Sequence, residues 1–136
     1  MSSPLIDRLI DELGYPRVTT KTVDAVLRAA DNTVLFFTSD PANTPEANDV
    51  AVVLPELVRH FQGRITPAIV ARDDERVMQA MYGFDLWPAL VFLRKDQYLG
   101  TISKIQDWAD YLEQIQGFLD AGPVRPPAPR IPIIPA

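Results

Sequence analysis

The sequence predicts an α/β fold in which helices cover both faces of a mixed central sheet. Residues 33–37 are β-branched and aromatic without alternation, which is typical of a strand buried on both faces. Strand-like and helical patterns alternate around this run, which favours parallel strands joined by helices. Two later strand-like runs flank a polar turn at residues 94–97 and predict an antiparallel hairpin.

The first part of the chain predicts two helices and an edge strand before the central strand. Ser2 or Ser3 can cap the first helix, whose apolar residues recur at helical spacing. Residues 15–18 predict a short strand at the edge of the sheet, because they contain a proline. Thr22 is placed to cap a second helix over residues 23–30.

A long helix and a further strand are predicted after a polar loop at residues 38–48. The helix contains Pro55, which removes a backbone hydrogen bond and predicts a kink. Its predicted inward residues have spacings of three and four: Val50, Val53, Leu54, Leu57, Val58 and Phe61. Residues 65–71 predict a strand, although Pro67 argues against a central position in the sheet.

Two more helices are predicted, one on each side of the hairpin. The first begins at Asp73 or Asp74 and ends at Gly83. Its predicted inward residues are Val77, Met78 and Met81. Residues 103–106 read Ser-Lys-Ile-Gln and predict a capping box for the last helix, which is expected to end at Gly122. The predicted inward residues of that helix are Ile105, Trp108, Leu112, Ile115 and Leu119.

The dipeptide Trp87-Pro88 begins the hairpin and is the centre of the functional interpretation. Pro88 cannot donate to a strand ladder, so it is expected at the first residue of the strand. An aromatic residue before proline favours a cis peptide bond, which predicts a rigid corner with exposed backbone beside Trp87. The alternative is a strand that simply starts with proline.

Composition limits the classes of function. The 136 residues favour one domain, and the net charge of −5 argues against a general binder of nucleic acids or anionic membranes. No apolar run reaches the length of about 18 residues that predicts a membrane span. Residues 1–13 lack a basic stretch followed by an apolar one, so no signal peptide is predicted and a cytoplasmic location is expected.

The chain has no cysteine and a single histidine, His60. Disulfides, thiol redox chemistry, cysteine nucleophiles and thiolate metal sites are therefore excluded. One histidine cannot supply a zinc ligand set, so we expect neither a metal nor a cofactor. His60 is expected on the surface at a helix end. Ser39 lies near the predicted site without a histidine, so no Ser–His catalytic pair is expected.

The chain changes character at residue 122. Residues 122–136 are rich in proline, and Arg125 and Arg130 are their only charges, which leaves a net charge of −7 on residues 1–121. We therefore expect one domain over residues 1–121 and a tail that is polyproline II or disordered. The tail is either a loose end or a tether or self-docking peptide, and its arginines are candidates to compete for the predicted peptide site.

The order of elements, with Pro55 in the helix after the central strand and Pro88 before the hairpin, resembles the thioredoxin fold over residues 15–119. The resemblance implies a thioredoxin-like three-layer sandwich. Residues 47–50, Ala-Asn-Asp-Val, stand where thioredoxins carry their cysteine pair, and the central strand lacks a buried acid. Of the motifs of that fold only Trp87-Pro88 is kept. In thioredoxin-like proteins this proline is cis, and its backbone binds extended peptides.

Four stretches are similar to one cysteine-free branch, the hydrogenase expression/formation proteins of the HupG/HyaE/HoxO family. They read Asp-Val-Ala-Val-Val-Leu-Pro-Glu-Leu (49–57), Trp-Pro-Ala-Leu-Val-Phe (87–92), Tyr-Leu-Gly (98–100) and Ile-Gln-Asp-Trp-Ala-Asp-Tyr-Leu (105–112). The resemblance implies a non-enzymatic chaperone in maturation of the small subunit of the nickel–iron uptake hydrogenase. The implied partners are the precursor of that subunit, bound through its twin-arginine signal peptide before export, and other hydrogenase maturation proteins.

Five residues are the candidate peptide-binding set: Trp87, Pro88, Asp40, Glu46 and Asp49. Trp87 is expected to line a peptide groove, and the alternative is that its ring belongs to the core. The three acids lie at the end of the central strand, where they are expected to attract the arginines of the peptide. The alternative is that they are ordinary solvated loop residues. Residues 73–75, also acidic, are expected only to cap a helix and complement its dipole.

Two other functional classes stay open. One is a thioredoxin-like enzyme that uses a bound thiol cofactor, as glutathione transferases do. Such an enzyme needs a donor near the first strand that can face the thiolate, and Tyr15 is the candidate. The other is a structural subunit of a larger complex.

Overall fold

The computed structural model describes residues 3–127, in which five strands form one mixed sheet in the order β1-β3-β2-β4-β5. The strands are β1 (Arg17–Val18), β2 (Asn32–Phe37), β3 (Thr66–Val70), β4 (Ala89–Arg94) and β5 (Gln97–Ser103). The helices are α1 (Pro4–Asp11), α2 (Val23–Ala29), α3 (Glu46–His60), α4 (Glu75–Tyr82) and α5 (Trp108–Ala121). Ser3 caps α1, whereas Ser2 lies outside the described residues.

Strand β2 is central, as its unbroken apolar run predicts. It pairs in parallel with β3 and antiparallel with β4. Val34 and Phe36 belong to one core cluster, with α1, α3 and α5, while Leu35 and Phe37 belong to a second cluster with α2 and α4. The sheet is therefore covered on both faces, which confirms the predicted three-layer sandwich.

The expectation that Pro67 keeps its strand away from the sheet centre is wrong. Strand β3 lies between β1 and β2, and Pro67 is in register with Val34 of β2. The other side of β3 is paired only at Ile69 and Val70, because β1 has just two residues. Pro67 therefore lies beyond the end of β1, where β3 is an edge strand and a missing donor costs little.

The predicted inward face of α4 is also wrong in two positions. Val77 and Met81 are 61% and 57% exposed, whereas the helix buries Glu75, Met78 and Tyr82. The apolar pattern alone misassigned the face because a carboxylate occupies one of its inward positions.

The last helix begins later than predicted. Helix α5 starts at Trp108, and Gln106 donates a hydrogen bond from its side chain to the carbonyl oxygen of Ser103 at 2.8 Å instead of forming a capping box. Ile105 and Trp108 are 37% and 44% exposed. Tyr111 is buried instead, and its hydroxyl accepts from the backbone amide of Gln106 at 3.2 Å, at the turn into the helix.

Helix α3 contains Pro55 and ends at His60, which is exposed as predicted. Val50, Leu54, Leu57 and the following residue Phe61 are buried, which confirms the predicted inward face. Within residues 3–127, no helix is both long and apolar enough to cross a membrane.

Candidate functional site

The peptide bond between Trp87 and Pro88 is cis, as predicted. The next residue, Ala89, begins β4 and pairs with Phe37, the last residue of β2. The corner therefore lies at the carboxyl end of the central strand. The Pro88 carbonyl oxygen accepts a hydrogen bond from the Lys104 amide at 2.6 Å. An extended peptide that pairs with this corner would use the backbone of Trp87, because that acceptor of Pro88 is already engaged.

The Trp87 side chain is half-buried and held from two sides. Its indole Nε1 donates a hydrogen bond to Oε1 of Glu75 at 2.9 Å. Its ring packs edge-to-face on Phe84, with ring centroids 5.0 Å apart. The ring is therefore fixed in direction, and it packs against the second core cluster while part of it stays exposed.

Glu75 is the buried acid of this site and is only 4% exposed. Its carboxylate accepts from Trp87 and also from the Ser39 amide, at 3.0 Å to Oε1 and 3.2 Å to Oε2. Burial raises the pKa of Glu75, while these hydrogen bonds and the nearby Arg72 act in the opposite direction. One side chain thus joins α4, the end of β2 and the corner.

Ser39 follows the central strand in a left-handed backbone conformation, with φ of +58°. Its amide points at the Glu75 carboxylate, which satisfies a donor that the strand leaves unpaired. The bond also fixes where the loop leaves the sheet, and hence where Asp40 lies.

A cavity of about 290 Å³ opens beside the corner, and we call it the Trp87 cavity. Its lining residues are Ser39, Asp40, Arg72, Glu75, Arg76 and Trp87. Asp40 accepts from the Ala42 amide at 3.0 Å and pairs with Arg72, whose Nη2 lies 3.3 Å from its Oδ2. The hydrogen bond from Ala42, followed by the charge of Arg72, lowers the pKa of Asp40. Two predicted residues, Trp87 and Asp40, are therefore brought together.

The other two predicted acids do not line this cavity. Glu46, at the start of α3, pairs with Lys104, whose Nζ lies 3.2 Å from its Oε1. Because the Lys104 amide also bonds to Pro88, Glu46 lies across the corner from the Trp87 cavity. Asp49 is exposed on α3, and its charge contributes to the raised pKa of Tyr111, after the larger effect of burial.

The expectation that residues 73–75 only cap a helix is wrong, because Asp74 makes no side-chain cap bond and Glu75 is buried at the site. The lining residues Arg72 and Arg76 were not predicted. A signal for Glu75 was present, because it precedes Met78 by three positions and Tyr82 by seven and so shares their buried face. Arg72 and Arg76 bring positive charge into the cavity, where it offsets the negative charge that we expected to attract a basic peptide.

His60 and Tyr15, the residues considered for catalysis, do not line the Trp87 cavity. His60 lines a separate cavity with Phe61 and packs edge-to-face on Trp108, with ring centroids 5.9 Å apart. Tyr15 precedes β1 and packs against the core cluster of Val34 and Phe36, on the opposite face of the sheet from Trp87, which packs against the second cluster. Burial raises the pKa of Tyr15, opposed by Arg59 in the last turn of α3. Among the described residues, no cluster of three His, Cys, Asp or Glu side chains could hold a metal ion.

Comparison with known proteins identifies close relatives. A family model described as "Hydrogenase-1 expression protein HyaE" matches residues 5–111. The chain is 47% identical over 134 residues to the hydrogenase expression/formation protein HoxO of Azotobacter vinelandii, covering 98% of this chain and 88% of that protein. It is 45% identical over 123 residues to HupG of Rhizobium leguminosarum bv. viciae, covering 88% of this chain and 83% of that protein.

Two solved structures bear on the fold. A hydrogenase expression/formation protein HupG from Rhodopseudomonas palustris is 42% identical, with a TM-score of 0.56, over 78% of this chain and 96% of that one. A thioredoxin variant from Halobacterium salinarum is 18% identical, with a TM-score of 0.62, over 87% of this chain and 95% of that one. The second likeness concerns the fold alone and confirms that it is thioredoxin-like.

Proposed function

The chain belongs to the HyaE family of hydrogenase expression/formation proteins, and from this premise we propose that it acts in hydrogenase maturation. Its role is accessory and non-enzymatic. It binds the precursor of the small subunit of a nickel–iron uptake hydrogenase in the cytoplasm, through the twin-arginine signal peptide, before export. Other hydrogenase maturation proteins are further partners of this step.

The proposal rests on one observation: the fixed indole of Trp87 and the carboxylate of Asp40 line the same cavity at the cis-proline corner. Twin-arginine signal peptides have a basic front and an apolar middle. An extended peptide could place apolar side chains on the Trp87 ring while pairing with its backbone. An arginine of the peptide could then compete with Arg72 for Asp40, and another could reach Glu46 across the corner.

The charges of the protein favour fast association with such a peptide. Residues 1–121 carry a net charge of −7, which attracts a basic segment at long range. Asp40 and Glu46 are partly exposed and already paired, so they exchange one cation for another with little net gain. We therefore expect these two acids to set the association rate and its salt sensitivity, and Trp87 to supply most of the affinity.

The experiment is a titration of the full-length protein with a labelled twin-arginine signal peptide at increasing salt. Affinity should fall as salt rises, and the double change Asp40→Asn with Glu46→Gln should make this dependence less steep. The matched control is Asp120→Asn with Glu113→Gln on α5, which removes the same charge from exposed positions that do not line the Trp87 cavity. An equal salt dependence in both double variants would contradict the assignment of the two acids.

The cofactor-dependent enzyme gains no support from the site. Its candidate donor, Tyr15, does not line the Trp87 cavity and packs on the opposite face of the sheet from Trp87. No contact of the described residues favours the structural-subunit alternative over peptide binding.

A further inference from the structure

A second groove lies at the other end of the hairpin, and the chain's own tail runs along one side of it. Helix α5 ends at Gly122, and residues 123–127 then cross the beginning of β5. The Val124 amide donates to the carbonyl oxygen of Tyr98 at 2.9 Å. Tyr98 is in register with Leu93, near the end of β4 farthest from the Trp87-Pro88 corner. This groove is therefore separate from the Trp87 cavity.

The walls of this tail groove suit a proline-rich chain. The open space between the tail and the body has a volume of about 460 Å³, and tail residues 123–126 form one of its walls. Its body-side lining is Val23, Asp24, Leu27, Met81, Tyr82, Asp96, Gln97 and Tyr98. The rings of Tyr82 and Tyr98 stack with centroids 6.2 Å apart and planes inclined by 14°. Aromatic walls of this kind bind polyproline segments, which lose little conformational entropy because proline fixes its own φ. Three of the five residues 123–127 are proline.

The end of α4 allows the tail to approach closely. Gly83 ends the helix with φ of +73°, and a Cβ added there would overlap the carbonyl oxygen of Pro127. Glycine is thus required twice at this position, for the left-handed turn and for contact with the tail. A tail that did not contact the body would leave room for a side chain at this position.

Charge in the groove matches the tail as well. Asp24 and Asp96 line the same cavity as Arg125, the basic residue between the prolines of the segment. Burial, with a smaller contribution from the charge of nearby Asp24, raises the pKa of the Tyr82 phenol to about 12. The groove therefore combines an aromatic floor with two acids at its sides.

We propose that this groove is a recognition site for an extended, proline-rich segment carrying a basic residue, and that its occupant is the chain's own residues 123–127. The segment binds through the Val124 amide, the tyrosine pair and the charge of Arg125. The tail is thereby held away from the Trp87 cavity. This inference does not rest on the proposed function, because no residue of the Trp87 cavity lines the groove.

The test compares two full-length variants by NMR of the backbone amides. Val124→Pro removes the N–H that bonds to Tyr98 and keeps an extended backbone, whereas the control Val124→Ala keeps the N–H. Val124 is 51% exposed and belongs to neither core cluster, so both variants keep the core intact. Val124→Pro should shift the amide signals of Gly83 and Tyr98, and Val124→Ala should leave them nearly unchanged.

A synthetic peptide of residues 122–127 is then titrated into both variants. It should bind saturably to Val124→Pro and return the Gly83 and Tyr98 signals toward their original positions. It should not bind to Val124→Ala, in which the chain's own tail still engages the Tyr98 carbonyl oxygen. A peptide with Arg125→Gln should bind at most about threefold more weakly, as expected for the loss of a surface charge that shares a cavity with Asp24 and Asp96 without a close ion pair. Equal Gly83 signals in the two variants, or no binding to Val124→Pro, would overturn the proposal.

Discussion

Replacing Trp87 by alanine is expected to weaken binding of a twin-arginine signal peptide by about 10- to 30-fold. Large aromatic side chains that are fixed in a pocket dominate the energy of interfaces, and truncating one commonly costs about 2 kcal/mol or more. The Trp87 ring is fixed by its bond to Glu75 and by Phe84. Because this contribution is apolar, the loss should be similar at low and high salt, as measured by fluorescence anisotropy of a labelled peptide.

The matched control for this change is Trp108→Ala. Trp108 is the second tryptophan of the chain, is 44% exposed and lies beside His60 rather than at the corner. Its loss should leave peptide affinity within about twofold of the unchanged protein, the scale of an interface residue outside a hot spot. If both alanine variants bind equally well, Trp87 is not a peptide contact, provided that circular dichroism shows both to be folded.

Replacing Glu75 by alanine is expected to lower the free energy of unfolding by about 2–4 kcal/mol. The change leaves the Ser39 amide and the Trp87 indole N–H without their acceptor, and each unsatisfied buried donor costs about 1–3 kcal/mol. Glu75→Gln should cost much less, because a single amide oxygen in the place of Oε1 can accept from both donors. Urea unfolding of the three proteins measures the difference, with the exposed Glu113→Ala as control.

The same residue gives a pH dependence of known sign. Burial raises the pKa of Glu75, so the folded state holds its proton more tightly than the unfolded state does. The pH-dependent part of its contribution to stability is therefore full below the ordinary glutamate pKa of about 4.3 and is lost as pH rises through the higher pKa of the folded state. Glu75→Gln should remove this part of the pH dependence. An identical pH profile for the unchanged protein and for Glu75→Gln would contradict a raised pKa.

The fold was largely predictable because its main determinants are local. The apolar run of β2 indicates burial on both faces, and Pro88 marks the start of a strand. The errors arose where tertiary contacts decide. Pro67 is tolerated because β1 is too short to pair with it, and no pattern within residues 65–71 reports the length of another strand. The capping box failed because Tyr111 takes the Gln106 amide.

The site was less predictable, because its geometry depends on residues far apart in sequence. Trp87 and Asp40 meet as expected, but the acid that connects them to the sheet is Glu75. Its acceptor role depends on the Ser39 amide, 36 positions away, which no helical pattern reveals. Glu46 and Asp49 follow the central strand in sequence, as Asp40 does, but both belong to helix α3 and neither lines the cavity.

The tail was only partly open to prediction. Composition indicates an extended segment but not which surface of the protein it contacts. Arg125 lines the separate tail groove, and this position does not fit the expected competition for the Trp87 cavity. Arg130 and the rest of residues 128–136 lie outside the described part of the chain. A binding assay for the signal peptide therefore uses the full-length protein, in which the described part of the tail is docked away from the corner.

The most direct test of the central claim is co-purification of the full-length protein with the hydrogenase small-subunit precursor. Tagged protein is incubated with the intact precursor and, separately, with the same precursor lacking its signal peptide. We expect capture of the intact precursor, loss of capture without the signal peptide and strong reduction with Trp87→Ala. Equal capture of both forms, or capture of neither, would contradict binding through the signal peptide.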